Sequence, residues 1–454
     1  MTPTRSNEFP ANEAAVASNR RLGSVVLAVQ TGPSVKTPDI NFFRSTKPMP
    51  NSSPLVTQDP LTGAQPVIRW TEAGEECSSL WRSERGAPPP KRVILADDTT
   101  TADTAYRLAC EGTALLWRGD FQNAKQLLQA LARRADNVPA RKRKKAAEVV
   151  AVADAFHKHR LAQSQRARML GMLLIPFNAD YSIPLRRAPD AKVACAEAWG
   201  PADETAGTSV ASLRELLGIT SAHEWRRVGV EIPALGEPPH NRIHPHYGVF
   251  SPVRGEYIHL VATVHLPKKL AGQATLVAFD IGTGTGVLSA VLVRRGVDQV
   301  VATDQDPRAL ACASENLAKL NMLDKVQVVQ ANLFPEGRAS LVVCNPPWIP
   351  ARPSSPLEHS VYDEGGRMLT GFLKGLSAHL APKGEGWLIL SDLAERLGLR
   401  SREELLAMFE SNGLKVVSRI DAKPQHAKAA DTTDALHDAR SREVTSLWRL
   451  AVAG

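Results

Sequence analysis

The chain has 454 residues, 43 % hydrophobic and 22 % charged, with a formal net charge of +8, an ordinary globular composition long enough for two or more domains. No apolar run reaches the roughly 18 residues of a membrane-spanning helix, and the scattered cysteines (Cys77, Cys110, Cys195, Cys312, Cys344) exclude a disulfide scaffold and a paired-cysteine metal knuckle. Such cysteine usage fits a reducing, cytoplasmic setting, and the excess of Lys and Arg (55 against 47 acids) admits an acidic partner such as RNA without requiring one.

Residues 1–95 lack sustained periodicity and are dense in Pro, Ser, Thr and Asn. Such a segment buries too little apolar surface to offset its chain entropy, which predicts a disordered leader. Its removal up to residue 90 is expected to leave folding and activity unchanged. Glu8 and Glu13 interrupt the first thirty residues, so neither a secretory signal nor a transit peptide is expected. From about Thr101 apolar residues return every three or four positions, in Tyr106–Trp117 and Phe121–Ala132, and a long helix is expected to end near Leu174. With further helices at Lys192–Trp199 and Ser212–Leu217, residues 96–235 read as a small helical domain. Period-two runs at Tyr247–Phe250 and Tyr257–Val264, separated by Pro252 and Gly255, predict a linking β-hairpin within 236–270.

Beyond residue 270 strands and helices alternate to the end of the chain. Strands are expected at Thr275–Asp280, Gln299–Thr303, Val326–Gln330, Ala339–Cys344, Gly386–Leu390, Lys415–Ile420 and Ser446–Ala451, with helices at Gly286–Arg295, Pro307–Leu320, Arg367–Leu380 and Ser401–Asn412. This pattern makes 271–454 a doubly wound, Rossmann-like α/β domain of seven strands, the last antiparallel, with a ligand crevice at the carboxyl ends of its strands.

Two turns in that domain carry chemistry. Val277–Asp280 runs into Ile281-Gly-Thr-Gly-Thr-Gly286, whose glycines at 282, 284 and 286 permit a tight turn and close approach to a ligand. The GxGxG spacing departs from the dinucleotide fingerprint. The next strand ends in Asp304, about twenty residues on, where a carboxylate can accept both hydroxyls of a ribose. The bland alternative for Asp304 is a helix N-cap, a role Asp306 suits better because Pro307 follows it. The fourth strand ends in Cys344-Asn345-Pro-Pro-Trp348. Two prolines stop the sheet and stiffen the turn. Asn345 and the Pro346 carbonyl can accept the two N–H bonds of an amide or amino group, and Trp348 offers a flat face. The bland alternative is a structural proline turn with a packed indole. Held in line, such a nitrogen needs no strong base to attack a sulfonium methyl group.

Taken in order, Asp280–Gly286, Thr303-Asp304 and Asn345-Pro-Pro-Trp348 resemble the motifs of class I S-adenosylmethionine-dependent methyltransferases with an (N/D)PP(F/Y/W) site. The likeness is greatest to the small-domain group that includes release-factor glutamine methyltransferases and ribosomal and transfer-RNA base methyltransferases, and it covers Tyr247 to Leu450. The resemblance implies S-adenosylmethionine as cofactor, held by Asp280, Gly282, Thr283, Gly284, Gly286, Asp304, Asn332, Leu333 and Asn345, with Asn345, Pro346 and Trp348 at the methyl acceptor. Asn332 stands where family members often carry Asp, so its contact with adenine would lack a charge. The implied acceptor is a protein glutamine side chain or, as the alternative, an exocyclic amine of an RNA or DNA base. A non-catalytic binding scaffold is the remaining reading, opposed by the intact glycines and Asn-Pro-Pro turn.

Other signals have plainer explanations. Arg141-Lys-Arg-Lys-Lys145 could track phosphates or could be a solvated helix start. His240, His244 and His246 lack a cysteine or carboxylate at ligand spacing and read as turn residues, so no metal is expected. Cys344 reads as a buried strand residue. Glu358, His359 and Asp363 lie in a long loop after the Asn-Pro-Pro-Trp turn, where loops often serve as lids or substrate contacts, and His359 is a candidate for a direct role.

Overall fold

A computed structural model describes residues 66–136, 152–267, 275–353, 358–424 and 436–454. In chain order the amino-terminal unit comprises β1 (Val67–Glu72), β2 (Glu75–Trp81), β3 (Arg92–Ala96), α1 (Ala102–Cys110), β4 (Thr113–Trp117), α2 (Phe121–Asp136), α3 (Val152–Leu170), β5 (Leu173–Phe177), α4 (Lys192–Trp199), β6 (Ser209–Ser212) and α5 (Leu213–Val228). Its strands form a six-stranded sheet in the order β1-β2-β6-β5-β4-β3. The expected helical domain is therefore an α/β unit. Thr113–Trp117 and Leu173–Phe177 are buried at every position, and a short continuous apolar run of this kind carries no period to tell strand from helix. Gly112 (φ +81°) and the turn at Gly171 end the helices that the periodicity would have carried onward.

Two further expectations are corrected. Residues 66–95, assigned to a disordered leader, supply β1, β2 and all but the last residue of β3, and buried Ile68 and Trp81 join Leu116 and Val210 in one apolar cluster. Residues 1–65 and the basic run 141–145 lie outside the described residues. The hairpin does not form either. A two-residue pairing of β7 (Val230–Glu231) with β8 (Arg242–Ile243) precedes α6 (Glu256–Thr263). Tyr257, Ile258, Leu260 and Val261 are all buried, a set spaced for one helical face as well as for alternation.

The carboxyl-terminal unit follows the expected alternation. It contains β9 (Val277–Ile281), α7 (Val287–Arg294), β10 (Gln299–Asp304), α8 (Pro307–Lys319), β11 (Val326–Gln330), β12 (Ala339–Cys344), α9 (Arg367–His379), β13 (Leu380–Ser391), α10 (Leu393–Arg396), α11 (Arg402–Ser411), β14 (Leu414–Ala422), α12 (His437–Ser441) and β15 (Thr445–Val452). The seven-stranded sheet runs β11-β10-β9-β12-β13-β15-β14, with only β15 antiparallel to its neighbours. Alternate residues of each strand feed opposite faces. Ala278, Ala302, Leu341, Val343 and Trp387 enter one core, and Phe279, Val301, Val342, Cys344 and Leu388 the other. Central strands covered on both sides are the reason these segments read as unbroken apolar runs.

Candidate active site

The strand order sets the geometry of the site. β9 lies between β10 and β12, and Ile281 pairs with Thr303 on one side and Cys344 on the other. Gly282 and Asn345, which follow β9 and β12, and Asp304, the last residue of β10, therefore lie side by side at the carboxyl edge of the sheet. The order also reverses here, and such a switch point opens a crevice.

The glycine loop is held from beneath. Asp280 is fully buried, and its Oδ2 accepts from Thr283 Oγ1 (2.7 Å), Ser289 Oγ (2.6 Å) and Ser289 N (3.1 Å). Burial pushes this carboxyl up and the three donors oppose the shift. Asp280 Oδ2 and the Thr283 hydroxyl thus brace the shape of the loop. Asn316 secures its back, donating from Nδ2 to Thr285 O (3.1 Å) and to His244 O (3.2 Å). Gly286 adopts φ +80°, and a Cβ there would stand 3.2 Å from Ala313 Cα. Only glycine lets the loop lie this close to α8. A Cβ at Gly282 would stand 2.5 Å from Met368 Cε, so the first turn of α9 rests directly on the loop.

Asp304 is partly buried beside this loop. Its Oδ2 accepts from Gly284 N (3.1 Å) and its Oδ1 from Asp306 N (3.0 Å). Burial pushes its carboxyl up to about 6 despite those two donors, and neighbouring Asp306 adds to the rise. Asp306 caps α8, its Oδ1 accepting from Arg308 N at 2.9 Å, which removes the capping explanation for Asp304. On the far side Asn332 is exposed. Leu333 takes φ +72°, and its carbonyl accepts from Thr303 Oγ1 at 2.5 Å, tying the β11 loop to β10.

At the end of β12, Pro346 is buried, and Trp348 Nε1 donates to Asn345 Oδ1 at 2.9 Å. The Asn345 oxygen keeps a second lone pair for another donor. Trp348 packs against both cores of the sheet. Cys344 is buried with its thiol pushed well up by burial, as a packed strand residue requires.

Two contributors, Arg254 and Glu443, escaped the sequence reading, and a third, Asp363, stood there only as a residue of the long loop. Arg254 places its guanidinium 5.3 Å from the Trp348 ring centroid while its Nη2 pairs with buried Glu443 at 2.9 Å. Asp363 accepts from Met368 N (2.9 Å) and Leu369 N (3.2 Å), capping α9 against the loop. An acid followed by two glycines and an apolar helix was the available signal for Asp363; nothing local marks Arg254 or Glu443, which meet across 189 residues. Among the described residues, no group of three or more His, Cys, Asp or Glu comes together as a metal would need. His244 Nδ1 lies 2.7 Å from Arg226 O, and His246 Nε2 lies 2.8 Å from Glu315 Oε2. No described helix is long and apolar enough to cross a membrane.

Residues 240–398 match the methyltransferase small domain family. A ribosomal protein L11 methyltransferase of Pelotomaculum thermopropionicum is 49 % identical over 69 residues, 15 % of this chain and 22 % of that protein. A release factor glutamine methyltransferase of Cereibacter sphaeroides is 31 % identical over 154 residues, 31 % of this chain and 52 % of that protein. The chain thus spans between about a fifth and a half of the length of these curated relatives. Among solved structures, a ribosomal protein L11 methylase from Lactobacillus delbrueckii subsp. bulgaricus is similar at 18 % identity and a TM-score of 0.28, over 40 % of this chain and 73 % of that one.

Proposed function

We propose that the methyltransferase small domain at residues 240–398 makes this chain an S-adenosylmethionine-dependent N-methyltransferase whose acceptor is the side-chain amide of a protein glutamine. One observation carries the reading. Three neighbouring parallel strands deliver a glycine loop, a ribose-type acid and an Asn-Pro-Pro-Trp turn to a single edge, in register.

The residues present suit that cofactor. Each Asp304 oxygen has one bond to the backbone and a lone pair left for a hydroxyl. Gly284 has open space above it, the nearest atom to a Cβ there being Val249 Cγ1 at 3.9 Å. Gly282, Gly284 and Gly286 would admit the methionine portion, and Asn332 and Leu333 would flank the adenine. When bound, the cofactor supplies an electrophilic methyl group on sulfur. Asn345 Oδ1, fixed by the Trp348 indole, would accept one N–H of the acceptor, and the Pro346 carbonyl would accept the other. Trp348 would cover the face of the planar group. Two acceptors orient the nitrogen lone pair toward the methyl carbon, and positioning of this kind supplies much of the rate enhancement.

An exocyclic amine of a nucleic-acid base presents the same planar NH2 group. The net charge of +8 keeps this second reading in play. Calorimetric titration with S-adenosylmethionine tests the cofactor. Tritiated-methyl transfer into cell extract, followed by protease or nuclease, tests the acceptor. Label released by protease alone supports glutamine, and label released by nuclease alone replaces that reading with base methylation. Binding without transfer into any extract favours a scaffold.

A further inference from the structure

Helix α3 belongs to both halves of the molecule. Its carboxyl end, Met169 and Leu170, sits in the core of the amino-terminal unit with Leu173 and Ile175. Its amino-terminal half reaches the other unit. Phe156, 1 % exposed, shares a buried apolar cluster with Ile349 and Ala351, just beyond Trp348, and with Leu393 and Leu397. One turn later Arg160 is 17 % exposed in its side chain. Its Nη1 donates to Arg352 O (2.7 Å) and its Nη2 to Glu358 Oε2 (3.1 Å), while the guanidinium lies 4.0 Å from the Tyr362 ring centroid.

Arg160 therefore grips both ends of the loop that leaves the Asn-Pro-Pro-Trp turn. Those ends are tied to the site. Ile349, next to Trp348, bridges to Tyr362. Asp363 N donates to Ile349 O at 2.9 Å, and the Asp363 carboxylate caps the helix whose Met368 rests on Gly282. A planar guanidinium can stack on Tyr362 while sending two N–H groups to separate acceptors; an ammonium can keep the Glu358 ion pair but not the fork or the stacking.

We propose that Arg160, supplied by the amino-terminal unit, is a positioning residue for methyl transfer: through Tyr362, Glu358 and Arg352 it sets the placement of the Asn345–Trp348 turn without touching either reactant. The inference rests on the reading of that turn as the acceptor site. Misplacement by about 1 Å costs up to about 100-fold in rate, so the loss should appear in turnover and leave cofactor affinity alone.

The test uses the full chain as wild type, Arg160→Ala, Arg160→Lys and Glu358→Gln. Each is measured for S-adenosylmethionine affinity by calorimetry, for tritiated-methyl transfer into desalted cell extract at varied cofactor concentration, and for melting temperature. The expected result is a fall in kcat of about tenfold or more for Arg160→Ala, with KM for the cofactor within about twofold. Arg160→Lys and Glu358→Gln should fall between it and wild type. If Arg160→Ala fails to fold, the latter two variants carry the same comparison. A lowered melting temperature with unchanged kcat would reduce Arg160 to a tie between units and overturn the proposal. A tenfold loss of cofactor affinity would also overturn it, because the coupling would then run to the glycine loop. Failure of the wild type to bind S-adenosylmethionine would instead sink the methyltransferase reading, and the proposal with it.

Discussion

Replacing Asp304 with asparagine preserves side-chain size and removes the charge. In the structure each carboxylate oxygen already serves one backbone amide, Gly284 N at 3.1 Å and Asp306 N at 3.0 Å. Asparagine retains one acceptor and turns its NH2 toward the other amide, so one loop bond is lost together with an anionic acceptor for a ribose hydroxyl. Hydrogen bonds to a charged group contribute about 1.5–3 kcal/mol. At about 1.4 kcal/mol per decade, Asp304→Asn should weaken S-adenosylmethionine binding about 10- to 100-fold. Alanine, which releases both amides, should lie at the upper end. The same carboxyl predicts a pH dependence. Its folded value near 6 lies above the ordinary carboxylate range, so its contribution to stability is full at low pH and is lost as pH rises through about 6. Cofactor affinity runs the other way, because the hydroxyls need the anion: it should rise through pH 6 and level off above 7. Binding near pH 6 should release a proton, visible as a calorimetric enthalpy that varies with the ionisation enthalpy of the buffer, and Asp304→Asn should lose that variation. Wild-type affinity flat between pH 5 and 7, or an asparagine variant within twofold of wild type, would refute the assignment of Asp304 to the ribose.

Asn345→Ala should lower turnover by at least about 100-fold while calorimetry finds cofactor affinity within a few-fold; retained turnover would remove Asn345 from the acceptor site. Gly286→Ala meets both a left-handed backbone and Ala313 Cα at 3.2 Å. It should destabilise the fold by about 1–3 kcal/mol in urea unfolding, and an unchanged midpoint would contradict the close packing of the loop on α8. Deleting residues 1–90 should sharply lower the melting temperature, because it removes β1, β2 and the Glu84–Arg308 pair at 2.9 Å. A melting curve like that of the intact chain would restore the idea of a dispensable leader.

The carboxyl-terminal unit was legible because its strands are buried on both faces and bounded by strong turns. Val326–Gln330 and Ala339–Cys344 form as expected, and Pro307 and Ser401 mark their helix starts. The amino-terminal unit was not, for two physical reasons. Five-residue buried strands such as Thr113–Trp117 have no period, and β1 and β2 have exposed faces whose polar residues resemble a linker. At the site, the backbone-borne features were visible as glycines, prolines and an acid at a strand end. What escaped were partners brought together by tertiary folding, such as Arg254 with Glu443 and Arg160 with Glu358, which no window of sequence brings into view.

The amino-terminal sheet also constrains the order in which the molecule can assemble. β2 gains its second neighbour only when Leu80 meets Ser209 and Trp81 meets Val210, and Ser79 is separated from its partner Thr208 by 129 positions. At about 5–20 residues per second of synthesis, the β1–β2 ribbon waits roughly 6 to 26 seconds for that strand to be made. Meanwhile α3 has been made without the loop that Phe156 and Arg160 will hold. An emerging chain therefore shows the face bearing Ile68 and Trp81 to chaperones well before the sheet can close, and the docking of α3 onto the second unit comes among the last steps of assembly.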